Sequence, residues 1–214
     1  MNILLSKRFI TFEGGEGAGK TTHSLLLKKY LEKRGYEVLL TREPGGTILA
    51  EAIRRILLNP DSNIVPLSEL FLYEAARAQH VEEFVLPALN AGKAVICDRF
   101  TDSTVAYQGY GRKLNLQLID SLNSTTSFGL TPVLTIYLDI LPSEGLSRAK
   151  RAKKLNRKIY SDKIERESLQ FHESVREGYL SQAKKYPERI KIVKTQETVE
   201  KTEVCIREII DLVL

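Results

Sequence analysis

Apolar positions along the chain fall into two alternating patterns. Short, nearly continuous runs rich in β-branched and aromatic residues occur at Arg8–Glu13 (RFITFE), Glu37–Thr41 (EVLLT), Ala94–Asp98 (AVICD), Val133–Asp139 (VLTIYLD) and Arg189–Lys194 (RIKIVK). Between them, apolar residues recur at helical spacing, as in Thr21–Arg34, Ile48–Leu58, Ser68–Ala91, Leu116–Thr125 and Val199–Leu214. The first pattern predicts strands buried on both faces, the second predicts helices that cover them. Strands alternating with helices predict an α/β fold: a five-stranded parallel sheet with helices on both faces, in three layers. No repeat, low-complexity segment or linker interrupts the pattern, so residues 1–214 read as a single domain. Ligands of such sheets bind at the carboxyl ends of the strands, where Glu13, Thr41, Asp98 and Asp139 fall.

The first of those ends carries the strongest chemical signal. GGEGAGKT, Gly14 to Thr21, matches G-x-x-x-x-G-K-[ST], with a predicted strand before it and a predicted helix after it. Gly14, Gly15, Gly17, Ala18 and Gly19 let successive backbone amides turn inward around phosphate oxygens. The helix N-terminus beginning near Thr21 and Thr22 adds its positive end. Lys20 reaches the β- and γ-phosphates, and the Thr21 hydroxyl suits Mg²⁺, with Asp98 holding the ion through water. The loop identifies a nucleotide phosphate, not a reaction. It also contains an anomaly: Glu13 and Glu16 place negative charge where phosphate is to be held.

A kinase needs a second pocket, and several segments have the chemistry for one. In LYEAARAQH, Tyr73 and Arg77 lie four apart on one helix face. They can stack on a flat base and hydrogen-bond its edge. An ordinary amphipathic helix, with Tyr73 in the core and Arg77 in solvent, explains the same pair. DRFTDSTVAYQGYGR sets Arg99 directly after Asp98, where its planar fork can grip a phosphate, and adds Ser103, Tyr107 and Gln108. TREPGGT supplies Arg42 and a tight turn at the end of the second strand.

Composition narrows the setting. The 214 residues are 43% hydrophobic, enough for one sizeable core. No apolar run has membrane-spanning length, and MNILLSKRFI lacks the length and cleavage site of a signal peptide. Cys97 and Cys205 have no metal-ligand spacing and read as reduced thiols of a cytoplasmic protein. His23, His80 and His172 are scattered, and no pair has metal spacing. The formal charge of +5 suits a phosphorylated substrate as well as nucleic acid. The excess is local: Ser147–Lys163 holds eight basic residues and one acid.

Taken in order, FEGGEGAGKTT, TREPGGT, LYEAARAQH, CDRFTDSTVAYQGYGR, YLDI followed by GLSRA, and DKIE resemble the motifs of bacterial thymidylate kinases, from Phe12 to about Glu165. The resemblance implies transfer of the γ-phosphate of ATP to dTMP, giving dTDP and ADP, with Mg²⁺, in a cytoplasmic homodimer that uses neither nucleic acid nor membrane. It implies that Glu16 accepts a hydrogen bond from the sugar 3′-hydroxyl, which accounts for a carboxylate in the loop. It implies that Arg99 holds the dTMP phosphate with Arg42 nearby, that Arg77 bonds thymine, and that Ser103, Thr104 and Gln108 line the acceptor pocket. Tyr107 would pack near the sugar 2′ position, and Arg148 against adenine. The basic stretch at about 148–163 would be a mobile lid. Two positions depart from the family pattern: Tyr73 stands where Phe is usual, and Lys163 where Arg is frequent. Some relatives carry an arginine after the loop carboxylate; here Gly17 follows Glu16. The cation for the moving phosphoryl group must then come from the lid, with Arg151 and Arg157 joining Lys20 and Arg99 as catalytic candidates. Two other readings remain open: a phosphate-loop kinase for another acceptor, and a nucleic-acid-bound NTPase or nucleotide switch using the basic stretch. The lack of an N-K-x-D guanine-reading run weighs against the second.

Overall fold

A computed structural model describes residues 8–155 and 163–213. Five parallel strands form one sheet in the order β2-β3-β1-β4-β5: β1 (Phe9–Glu13), β2 (Val38–Arg42), β3 (Ala94–Asp98), β4 (Leu134–Asp139) and β5 (Ile190–Lys194). Each lies within one residue of its predicted run. The central strands β1 and β4 are buried along their whole length, which is why they read as continuous apolar runs.

Helices cover both faces. Helix α1 (Lys20–Lys33) and the C-terminal helix (Val199–Asp211) pack Leu27, Leu31, Ile206 and Ile210 against Ile10, Phe12, Ile96, Leu134 and Ile136. On the other face Phe9, Val95 and Cys97 meet Val81, Val85, Phe100 and Leu130. Helices α2 (Ile48–Leu58) and α3 (Pro66–His80) follow β2 and pack on each other through Ala50, Ile53, Leu57 and Ala76. Thr47 caps α2 by accepting the Ala50 amide, and Pro66 opens α3.

The predicted helix Ser68–Ala91 is modified: α3 passes into a π-helical turn, Val81–Val85, and a short helix, Leu86–Asn90. Pro87 has no amide to donate backward, and the widened turn just before it absorbs that loss. After β3 come α4 (Thr101–Thr104), a π-helical segment (Val105–Gly111) and α5 (Leu116–Thr126). Two helices not singled out from sequence follow β4: α6 (Pro142–Leu155) and α7 (Leu169–Lys185). The C-terminal helix, α8, stops at Asp211 instead of Leu214; Leu212 is 89% exposed, so no burial extends it.

Candidate active site

The sheet brings the carboxyl ends of β1, β3 and β4 together. Phe12 and Asp98 are register partners, so the loop after β1 and the carboxylate after β3 are neighbours. Helix α1 begins at Lys20 with no side-chain cap, leaving its first amides to the loop. Lys20 Nζ donates to the Gly15 carbonyl at 2.9 Å, and Thr21 Oγ1 donates to Asp98 Oδ2 at 2.7 Å. Burial, and then Arg99 nearby, pushes the Lys20 ammonium pKa down, opposed by Glu16, Asp98 and Glu13. Ala18, within the loop, is buried against the core, and Thr22 is exposed in the first turn of α1.

Gly17 is closely confined. Its φ is +69°, and a Cβ there would lie 2.0 Å from the Gly145 carbonyl oxygen of α6. Gly145 is in the reciprocal position: its own Cβ would lie 2.3 Å from the Glu16 carbonyl oxygen. Helix α6 therefore rests on the phosphate loop backbone to backbone. Its basic residues extend from that seat. Arg148 pairs with Glu144 at 2.5 Å, Lys153 with Glu165 at 2.6 Å, and Arg151 is exposed. Arg157, and most of the predicted lid beyond Leu155, lie outside the described residues. Lys163 turns away from the loop: Nζ donates to the Ile64 carbonyl at 3.2 Å and lies 3.8 Å from Glu69.

The loop carboxylates have separate partners. Glu16 Oε1 accepts Arg99 Nη2 at 2.7 Å and the Tyr107 hydroxyl at 2.9 Å. Burial alone would raise the Glu16 pKa, but Arg99, Lys20 and the Tyr107 hydroxyl hold it down at about 2. Glu13 is fully buried behind the loop. It accepts the Phe100 amide at 2.7 Å, Ser103 Oγ at 2.6 Å and the Tyr179 hydroxyl at 3.0 Å. Burial, with Asp102 nearby, raises the Glu13 carboxyl to about 7.

Arg99 is the hub. Its backbone is left-handed, φ +73°, with the amide donating to the Phe12 carbonyl at 2.9 Å. Nη1 donates to the Gly14 carbonyl, Ser103 Oγ and the Tyr179 hydroxyl at 2.9, 3.3 and 3.2 Å, and the guanidinium sits 4.9 Å from the centre of the Tyr107 ring.

Arg77 is 3% exposed, so the amphipathic-helix reading that puts it in solvent does not hold. Nε donates to Glu43 at 2.8 Å. Nη1 donates to Glu74 and Asn123 at 2.8 and 2.6 Å, and Nη2 to Thr104 Oγ1 at 2.9 Å. Four of its five N–H groups are thus held, and one proton on Nη2 has no partner among the described residues.

A cleft of about 600 Å³, open to solvent, connects these groups. Of the predicted acceptor residues it brings together Glu16, Tyr73, Arg77, Arg99, Ser103, Thr104, Tyr107 and Gln108. Arg42 is not in its lining; it pairs with Glu51 at 2.8 Å. Gln108 reaches the cleft while donating to the buried Glu69 at 2.9 Å. The π-helical segment turns both Tyr107 and Gln108 inward. Residues missing from the sequence reading also line the cleft: Glu43, Arg54 and Phe100. EPGG and EAIRRILL contain the first two, but nothing in those strings marks them as facing a ligand. Two histidines serve the scaffold: His23 meets Glu203, and His80 bridges Thr41 and Glu43; His172 is buried, and its Nε2 has no partner among the described residues.

A phosphate loop, a metal-type carboxylate and a second cleft with three guanidiniums, Arg54, Arg77 and Arg99, form a site for transfer between two phosphorylated ligands. The thymidylate kinase family profile matches residues 12–206. The thymidylate kinase of Citrifermentans bemidjiense is 49% identical over 201 residues, 94% of this chain and 89% of that protein. That of Gloeobacter violaceus is 50% identical over 206 residues, 96% and 95% of the two chains. The crystal structure of thymidylate kinase from Ehrlichia chaffeensis superposes with a TM-score of 0.77 at 36% identity, covering 96% of this chain and 99% of that one. The chain belongs to the thymidylate kinase family, which phosphorylates dTMP to dTDP using ATP.

Proposed function

We propose that the phosphate loop is the ATP site of this kinase and the cleft its dTMP site, with the roles assigned below. The observation that carries the reading is the contact of Arg99 with Glu16, which joins the two sites at the base of the loop. In this reading Gly14 to Thr22 cradle the ATP phosphates, and Arg148 lies beside adenine. Thr21 and Asp98 hold Mg²⁺; a hydroxyl hydrogen-bonded to a carboxylate is the hard-oxygen donor set that ion takes. When bound, Mg²⁺ neutralises charge on the β- and γ-phosphates.

The acceptor side follows from hydrogen-bond accounting. The free proton on Arg77 Nη2 meets an acceptor on the thymine edge, with Tyr73 against the ring and Ser103, Thr104 and Gln108 around it. Glu16 Oε1 is taken by Arg99 and Tyr107, which leaves Oε2 for the sugar 3′-hydroxyl. Arg99 keeps Nε–H and one Nη2 proton without a protein partner among the described residues. Those donors match a phosphate's oxygens, and Arg42 adds positive charge outside the cleft. An oxygen of the dTMP phosphate attacks the γ-phosphorus as its bond to the bridging oxygen breaks, releasing ADP. That oxygen is already anionic at neutral pH, so no general base is required. The protein aligns the reactants and supplies cations: Lys20 from the loop, Arg99 from β3, and Arg151 or Arg157 from the basic lid.

A homodimer is part of the same reading; exposed apolar residues on α2, α3 and α5, among them Ile48, Ile56, Phe71 and Leu116, are candidates for its interface. No helix among the described residues is long and apolar enough to cross a membrane, in keeping with a cytoplasmic enzyme. The test is a coupled assay of ADP release with dTMP, dUMP, dCMP, dGMP and thymidine. Strong preference for dTMP is expected. Equal rates with all acceptors, or ADP release indifferent to any of them, would overturn the cleft assignment.

A further inference from the structure

We propose that the Tyr179 hydroxyl is a positioning group for Arg99, aiming its free N–H edge at the acceptor phosphate. The inference rests on the assignment of Arg99 to the dTMP phosphate. Tyr179 projects from α7 and is 2% exposed. Its ring stacks on Tyr137, 5.0 Å between centroids with planes 23° apart, and meets Tyr107 edge-on at 6.3 Å. Packing therefore locks the ring, and the hydroxyl has one location. There it lies 2.8 Å from Ser103 Oγ, 3.0 Å from Glu13 Oε2 and 3.2 Å from Arg99 Nη1.

The protons can be counted. Glu13 has a single amide, that of Phe100, on Oε1; Oε2 lies within hydrogen-bond distance of Ser103 Oγ and the Tyr179 hydroxyl, which also share a 2.8 Å contact in which either oxygen can donate. Each hydroxyl that gives its proton to Glu13 keeps lone pairs for Arg99 Nη1. The buried acid thus acts on Arg99 through two hydroxyls, and donors in such a chain strengthen one another. Burial raises the Tyr179 pKa well above its ordinary value, so the hydroxyl remains a donor at neutral pH. With the Gly14 carbonyl as third acceptor, Nη1 is fully engaged. The guanidinium is then held by these partners and by Glu16, and Nε–H and one Nη2 proton have no protein partner among the described residues, in a residue that lines the cleft. Without the Tyr179 oxygen, Nη1 keeps the Gly14 carbonyl and the more distant Ser103 Oγ but loses its anchor on the α7 side, so the fork is held less tightly. Glu16 would hold Nη2 as before, so Arg99 stays in the site but is less well aimed.

The test compares dTMP with thymidine, which has the same base and sugar and no phosphate, by calorimetric titration of the full chain. Tyr179→Phe keeps the stacked ring and removes the oxygen. It is expected to weaken dTMP about tenfold, the effect of one hydrogen bond to a charged group, while thymidine changes by less than about twofold. Glu13→Gln, which keeps the side-chain volume, should shift affinity in the same phosphate-selective direction. Arg99→Ala is measured alongside and should remove most of the preference for dTMP. If Tyr179→Phe weakens both ligands equally, the residue is packing only, and if it weakens neither, its oxygen positions nothing; either overturns the proposal. If Arg99→Ala leaves the dTMP preference intact, the assignment of Arg99 falls first and the role of Tyr179 with it.

Discussion

Replacing Glu16 with Gln keeps the side-chain volume and one acceptor oxygen but removes a charge that Arg99 and Lys20 favour most, with the Tyr107 hydroxyl and His172 adding to them. The carboxyl is held at about 2 against an ordinary 4.5. At about 1.4 kcal/mol per pH unit, that depression corresponds to roughly 3 kcal/mol of folding stability at neutral pH. A lowered carboxyl pKa contributes fully above the unfolded value and is lost as pH falls toward the folded one. The stability gap between wild type and Glu16→Gln should therefore be widest at pH 7, shrink below about pH 4.5 and nearly vanish near pH 2. Urea unfolding followed by circular dichroism at pH 7 and pH 3 measures it; the chain has no tryptophan to follow by fluorescence. The same gap at both pH values would refute the electrostatic account. Function is read separately. Part of the loss in dTMP binding comes from releasing Arg99 and is shared with 3′-deoxy-dTMP. Any excess for dTMP reports the sugar contact, where an unmet polar group costs about 1–3 kcal/mol. Equal losses for both nucleotides would leave Glu16 as a holder of Arg99 and Tyr107 alone.

Lys20→Ala should lower turnover about 10²-fold or more by removing one preorganised cation, and near-normal turnover in the coupled assay would sink the loop assignment. Arg151→Ala or Arg157→Ala should lose most of its turnover while dTMP affinity changes little, the pattern of a contact made mainly in the transition state; full turnover in both would make the basic stretch a passive surface. Arg77→Ala leaves Glu43 and Glu74 buried without their counter-charge, so it should destabilise the fold by about 3–5 kcal/mol in urea unfolding as well as weaken dTMP. Tyr73→Phe should be nearly silent in both assays, because the ring remains.

What could be read from sequence was what depends on neighbours in the chain. The strands were legible because burial on both faces removes polar positions, and the phosphate loop because its spacing is local. Helix α7 carries a four-residue period: Phe171, Val175, Tyr179 and Ala183 are all buried. Helix α6 carries almost no such signal, since PSEGLSRAKRAKKL offers few apolar residues to set a face. Arg77 could not be placed from its own helix, because the charges that admit it to the interior include Glu43, 34 residues earlier. Tyr179 is further still: 80 residues separate it from Arg99 and 166 from Glu13, and no short spacing encodes such a meeting. The π-helical segment that aims Tyr107 and Gln108 has no periodic signature of its own.

The reciprocal closeness of Gly17 and Gly145 has an evolutionary consequence. Each position lacks room for even one carbon because of the backbone at the other. An arginine arising at position 17, the place where some relatives carry one, would meet the α6 carbonyl before its guanidinium reached any phosphate. The substitution becomes viable only if α6 has already drawn back, and drawing α6 back also moves the basic residues it carries. Along single-residue steps, then, a loop-borne and a lid-borne cation are alternatives separated by a sterically forbidden intermediate. Under the proposed role of the lid, a lineage with this pair of glycines keeps the cation for the moving phosphoryl group on the lid side.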